Sequence, residues 1–123
     1  AGTFSPAFRE RHAEALALRR RHLRSLGPAW IEGLLDLWSA VENMDLRPEL
    51  PRIACPTLVV AAEGDVVYPP SECRAFAERI VGARFATIAG SGHALVIEKP
   101  GAVAKVVWEF LEGLPAGNGR GQG

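Results

Sequence analysis

Helical and strand-like hydrophobic patterns follow one another along this chain. Over residues 5–26, Phe8, His12, Ala15, Leu16, Leu23 and Leu26 recur at spacings of three, four and seven, the one-sided periodicity of an amphipathic helix. Ser5-Pro6 supplies an N-cap with proline at the first helical position, and Gly27-Pro28 ends the run. A second helix is predicted over 29–43, where Trp30, Ile31, Leu34, Leu35, Trp38 and Val41 form a broad apolar stripe. Pro48, Pro51 and Pro56 then keep the connector from continuing as helix. Residues 56–62 are apolar without interruption and rich in β-branched side chains, as expected of an interior parallel strand covered on both faces. After Glu63-Gly64-Asp65 and the Pro69-Pro70 break, Cys73, Phe76, Ala77, Ile80 and Val81 return to helical spacing over 71–81, and Gly82 stands where a left-handed residue is wanted. Residues 84–89 predict a second strand, left through Gly90-Ser91-Gly92-His93. Pro100 opens a last helix whose Val103, Val106, Val107, Phe110 and Leu111 should lie on the sheet, closed by Gly113. The glycine-rich tail has no pattern, and the sequence has no internal repeats.

The strand–helix–strand unit is where chemistry enters. A right-handed crossover makes its two strands parallel and, when adjacent, about 4.8 Å apart. Asp65 lies three residues past the first strand and His93 four past the second, so both project from the carboxyl edge, where open α/β sheets hold ligands. A carboxylate and an imidazole meeting there form the acid–histidine half of a nucleophile-activating triad. A glycine-flanked histidine can also simply cap a turn, and that reading stays open for His93 taken alone.

The order I-x-x-P-T-L-V-V, then x-E-G-D-x-x-x-P-P, a helix, a strand, and G-x-G-H with E-K-P five residues beyond, resembles the C-terminal half of an α/β-hydrolase-fold enzyme. The resemblance spans residues 45–112 and is nearest to the enol-lactonase, haloperoxidase-like and carbon–carbon-bond hydrolase branches. It implies a partial α/β fold: a helical cap-like segment over 1–47, the C-terminal strand–helix–strand–helix part of the core over 48–113, and a flexible tail over 114–123. It implies Asp65 and His93 as the acid and histidine of a Ser-His-Asp triad, no cofactor, and a small-molecule substrate. Trp30, Trp38, Tyr68, Leu95 and Val96 are candidates for the substrate pocket. Ordinary helix-to-helix packing is the favoured reading of either tryptophan, and Leu95 and Val96 suit either substrate or core. Two positions depart from the family: Ala62 stands where glycine is usual, and Glu63 is a second carboxylate beside Asp65. No G-x-S-x-G elbow occurs; Ser91 has glycine on both sides but sits two residues from His93 on a strand exit.

Composition narrows the function classes. The 123 residues suffice for one domain, 48% are hydrophobic, and 14 basic residues balance 14 acidic ones, so no general charge argument favours nucleic acid or an anionic membrane. No apolar run approaches the roughly 20 residues of a membrane span. Cys55 and Cys73 fall at opposite ends of a strand roughly 20 Å long at about 3.3 Å per residue, so both should be free thiols, and no Cys/His cluster suggests a metal. Arg19, Arg20, Arg21, His22 and Arg24 suit an acidic ligand, or solvated cations at a helix C-terminus; His12 and His22 read as surface or packing residues. The chain opens on Ala1 without a signal-peptide pattern, from which a cytoplasmic location and an N-terminus lying elsewhere are expected. The leading expectation is a hydrolase half that lacks its nucleophile and oxyanion hole and is inactive alone. The alternative is a non-catalytic assembly or regulatory module on the truncated fold. Either needs an N-terminal half, a partner chain or a second copy to cover an exposed sheet edge.

Overall fold

The computed structural model describes residues 3–42 and 44–115. Ser5, extended at φ −61° and ψ 154°, accepts the Phe8 N–H at 3.3 Å and caps α1 (Pro6–Arg11). The single helix expected from the sequence divides at His12, whose φ −119° and ψ 30° leave the helical region, and α2 (Ala13–Ser25) resumes beyond it. The His12 ring lies on Phe8 at 4.2 Å and Phe8 stacks on Phe4 at 5.1 Å, so one aromatic row runs up to the break. Leu26 turns extended, and α3 (Pro28–Glu42) starts on Pro28. The expected end of that helix at Asn43, and the tail beyond residue 115, lie outside the described residues.

None of the three N-terminal helices has a buried residue. Trp30 and Trp38 are 45% and 60% exposed, and Ile31, Leu34, Leu35 and Val41 share that exposure. The expected helix-to-helix packing of this stripe is therefore not found, and α3 packs closely on none of the other elements. The cause is a shortage of cover: the stripe needs a facing apolar layer, and the small sheet is already taken by other helices.

That sheet consists of β1 (Leu58–Ala62) and β2 (Arg84–Ile88), parallel, in register from Leu58↔Arg84 to Ala62↔Ile88. The ladder starts later than the apolar run because Pro56 has no N–H to give, while the Thr57 carbonyl accepts from Arg84 N–H at 2.9 Å. Between the strands α4 (Pro70–Ala77) is shorter than expected, continuing as tight turns through Ile80 to Gly82 at φ 74°. Gly82 swings the chain back toward β2, which leaves Val81 exposed rather than on the apolar face. After β2 come α5 (Leu95–Glu98) and α6 (Pro100–Glu112). Only Phe110 of α6 is buried; Val107 and Leu111, expected on the sheet, are exposed, because the two strands are too narrow to cover the whole stripe.

The core is Ala61, Ala62, Ala77, Ile80, Ile88 and Phe110. Helices α4 and α6 pack on both strands. Arg74 over the Phe85 ring at 4.3 Å and Arg84 over Phe110 at 5.6 Å extend the packing outward through their guanidinium planes. β1, expected to be interior, has only one neighbour among the described residues, and its Leu58, Val59 and Val60 are half-buried. Cys55 and Cys73 are both free.

Candidate active site

The first loop at the carboxyl edge is built around one side chain. The backbone turns at Asp65, whose N–H bonds the Ala62 carbonyl at 3.2 Å. Its Oδ1 accepts from the Val67 and Tyr68 N–H groups at 2.8 and 3.0 Å, an Asx-type turn that fixes the carboxylate. Oδ2 is left for the Nδ1 of His93 at 2.9 Å. The Asp65 side chain is 8% exposed and that of His93 38%. Burial pushes the Asp65 carboxyl up, but the N–H groups of Tyr68 and Val67 and the imidazole more than offset it, and the net shift is downward.

The second loop is held to the first by its backbone. Glu63 N–H bonds the Ile88 carbonyl and Gly64 N–H the Ser91 carbonyl at 2.9 Å, while Glu63 Oε2 accepts the Gly90 N–H at 2.9 Å. A Cβ on Gly64 would lie 3.0 Å from that Ser91 oxygen, so glycine permits the close approach. Gly90 takes φ 62°. Both neighbours of His93 have their N–H tied: Gly92 to Glu98 Oε1 at 3.1 Å, and Ala94 to the Thr3 carbonyl at 2.9 Å. Glu98 Oε1 also accepts the Ser5 N–H at 3.0 Å, which joins the segment ahead of α1 to the histidine turn. Glu98 Oε2 is buried with no partner among the described residues.

An ionised Asp65 can only accept, so the shared proton sits on Nδ1, and in the neutral imidazole Nε2 is the accepting nitrogen. Nε2 has no hydrogen bond among the described residues. Glu63, the second carboxylate of the loop, is occupied with Gly90 rather than with His93. The buried Ser91 hydroxyl donates to the Ile88 carbonyl at 2.8 Å, and those of Ser5 and Ser25 bond their own helices. Burial pushes the Cys73 thiol up and the Asp65 charge adds to it, so Cys73 is a poor thiolate. No trio of His, Cys, Asp or Glu with metal-ligand placement occurs among the described residues, and none of their helices is long and apolar enough to cross a membrane.

Of the pocket residues expected from the sequence, Tyr68 stands beside the pair, its ring 6.1 Å from that of His93. Tyr68 also lines a cleft of about 560 Å³ shared with Met44, Leu46, Phe76 and Arg79. One charge pair in that cleft is matched: Arg47 grips Asp45 through two oxygens and holds its pKa down at about 2; Glu42, Glu72 and Arg79 line it as well. Leu95 is half-buried and Val96 exposed on α5, directly after the histidine turn. Trp30, Trp38, Leu95 and Val96 do not line this cleft. The sequence reading used Glu98 only as part of a motif; the signal it passed over was Gly92, where a Cβ would sit 2.7 Å from the Ser5 nitrogen and 2.9 Å from Glu98 Oε1.

Comparison with known proteins bears on the family and the fold. A family model described as TAP-like protein matches residues 25–118. A pimeloyl-[acyl-carrier protein] methyl ester esterase of Stenotrophomonas maltophilia is 31% identical over 106 residues, 86% of this chain and 41% of that protein. The crystal structure of the enol-lactonase from Burkholderia xenovorans LB400 superposes with TM-score 0.77 at 32% identity, covering 89% of this chain and 41% of that one. An α/β hydrolase enzyme from a Medee basin deep-sea metagenome library reaches TM-score 0.82 at 26% identity, covering 95% and 43%. The chain thus spans about two-fifths of the length of these three proteins.

Proposed function

The chain belongs to the TAP-like protein family and has part of the α/β-hydrolase fold, and from that membership we propose that it furnishes the acid and the histidine of a Ser-His-Asp triad. The nucleophile and the oxyanion hole come from a segment outside this sequence. The observation that carries the reading is the 2.9 Å bond between His93 Nδ1 and Asp65 Oδ2, made at the shared carboxyl edge of two paired strands. His93 Nε2 takes the proton of the nucleophilic hydroxyl as it attacks, and Asp65 stabilises the imidazolium and holds its orientation. His93 then gives the proton to the leaving group and takes one from the water that releases the acyl enzyme. The methyl ester esterase and enol-lactonase relatives favour an ester or lactone over a carbon–carbon bond as the target.

The same reading accounts for surface that is otherwise costly. Residues 1–47 act as the end of a cap, and the unpaired edge of β1 receives a strand of the missing half. Tyr68 forms the wall of the substrate site next to His93. Under the alternative, an assembly module without catalysis, no serine need ever become reactive at this edge.

Fluorophosphonate labelling tests where the nucleophile lies. The isolated chain is expected to remain unlabelled at Ser5, Ser25, Ser39, Ser71 and Ser91. Stoichiometric labelling of one of them, lost on His93→Ala, would overturn the claim that the nucleophile lies outside this chain.

A further inference from the structure

A second cleft, of about 280 Å³, opens beside α1 and α2, where Arg9, Arg19 and Arg20 share its lining with Phe4, Leu16 and Leu23. No carboxylate among the described residues lines it. Four arginines of this molecule are matched, Arg47 with Asp45, Arg52 with Glu49, Arg74 and Arg84 with aromatic rings, while Arg11, Arg21, Arg24 and Arg79 have no ion pair or ring contact among the described residues. Arg9 and Arg20 have no such partner among the described residues, and Arg19 has only the Phe4 ring at 5.9 Å. The excess is local, because the whole chain balances 14 against 14, while residues 6–25 hold six arginines and two glutamates. Interaction with the helix dipole accounts for Arg24 in the last turn of α2. It serves Arg9 in the last turn of α1 as well, but not Arg19 and Arg20, which lie before the last turn of α2.

The position of the cleft matters as much as its charge. Thr3 lines it, and the Thr3 carbonyl accepts the N–H of Ala94, the residue after His93. One peptide segment therefore separates a cationic, partly apolar recess from the histidine turn.

We propose that this cleft binds a small amphipathic anion, with a carboxylate or phosphate head on Arg9, Arg19 and Arg20 and an alkyl chain along Phe4, Leu16 and Leu23. Guanidinium groups from two helices suit such a head because they offer planar, paired donors. If His93 belongs to a triad as proposed above, the anion is the far end of the ester, and the substrate class is an ester of an acidic molecule. Binding itself does not depend on that reading and is measured without it.

The test is titration of the whole ¹⁵N-labelled chain with monomeric octyl phosphate, followed by amide shifts and calorimetry. Saturable one-to-one binding is expected, centred on Phe4, Leu16 and Leu23 and weakened by added salt. The exposed double substitution Arg19→Gln/Arg20→Gln should weaken it at least about tenfold. Octanol and octyltrimethylammonium should not saturate the site, inorganic phosphate should bind at least about tenfold more weakly, and phosphatidylglycerol vesicles should not sediment the chain. The proposal is overturned if octyl phosphate fails to saturate, if the double substitution leaves its affinity unchanged, or if inorganic phosphate binds as tightly. It is equally overturned if octanol or octyltrimethylammonium saturates the site, or if vesicles capture the chain through these arginines. Failure here leaves the Asp65–His93 reading untouched, since the assay requires no catalysis.

Discussion

Asp65 shows how one side chain can set a tautomer. Oδ1 is occupied by two backbone N–H groups and Oδ2 by His93, so the carboxylate cannot rotate without losing three bonds. In Asp65→Asn, Oδ1 can still accept from Val67 and Tyr68, but the amide nitrogen now faces Nδ1 as a donor. We expect ¹⁵N spectra of the His93 ring at pH 8 to change from protonated Nδ1 to protonated Nε2; an unchanged ring would mean that Asp65 does not govern it. The pH dependence has a definite sign. A carboxyl whose folded pKa is depressed stabilises the fold above its ordinary pKa of about 4 and loses that contribution as pH falls through the lower folded value. Melting temperature should therefore drop on going from pH 6 to pH 2.5, and drop less in Asp65→Asn; equal acid losses would show that Asp65 contributes nothing to the acid limb. Both residues were legible in the sequence, because matched loop lengths after two parallel strands leave their tips little choice of place. The partners of Asp65 Oδ1 were not, because a turn's internal hydrogen bonds depend on dihedrals that the residue names alone do not fix.

The histidine turn itself is held by an element that precedes it by almost the whole chain. Glu98 Oε1 collects the N–H groups of Ser5 and Gly92, and Ala94 bonds Thr3, so the segment before α1 and the start of α5 lock His93 from both sides. Glu98→Ala strands two partly buried donors and should destabilise the chain by about 2–6 kcal/mol in chemical denaturation, taking about 1–3 for each. Glu98→Gln keeps one acceptor oxygen and should recover much of that loss; no difference between the two variants would show that Oε1 is not the clamp. Gly92→Ala forces a Cβ against the Ser5 backbone and should cost about 1–3 kcal/mol as overpacking. Strands and crossover helix were readable from periodicity, since β1 and β2 pair over ten apolar or β-tolerant residues bounded by proline and glycine. The break at His12 was not, because its residue types fit a continuous helix and only the backbone at that position departs from it. The burial expected of Trp30 and Trp38 also failed to appear: a helical stripe shows which face wants cover, not whether cover is present.

Taken whole, the molecule has a small core under a large exposed apolar surface. Trp30, Ile31, Leu34, Leu35 and Trp38 lie open on α3, and among the described residues each strand of the sheet has one unpaired edge. An account in which another segment covers these surfaces expects the isolated chain to self-associate at micromolar concentration in sedimentation, and Trp30→Gln/Trp38→Gln to reduce it. A strictly monomeric wild-type chain would count against that account. The most direct measurement joins this chain to the part it is proposed to lack. A chimera would carry the N-terminal portion of the Burkholderia xenovorans enol-lactonase, up to where the similarity begins, followed by this chain. With folding verified by circular dichroism, we expect it to hydrolyse an activated ester and to lose on the order of 10⁶ in kcat on His93→Ala. A folded chimera that is inert, or that hydrolyses equally well without His93, would overturn the assignment of Asp65 and His93 as a catalytic pair.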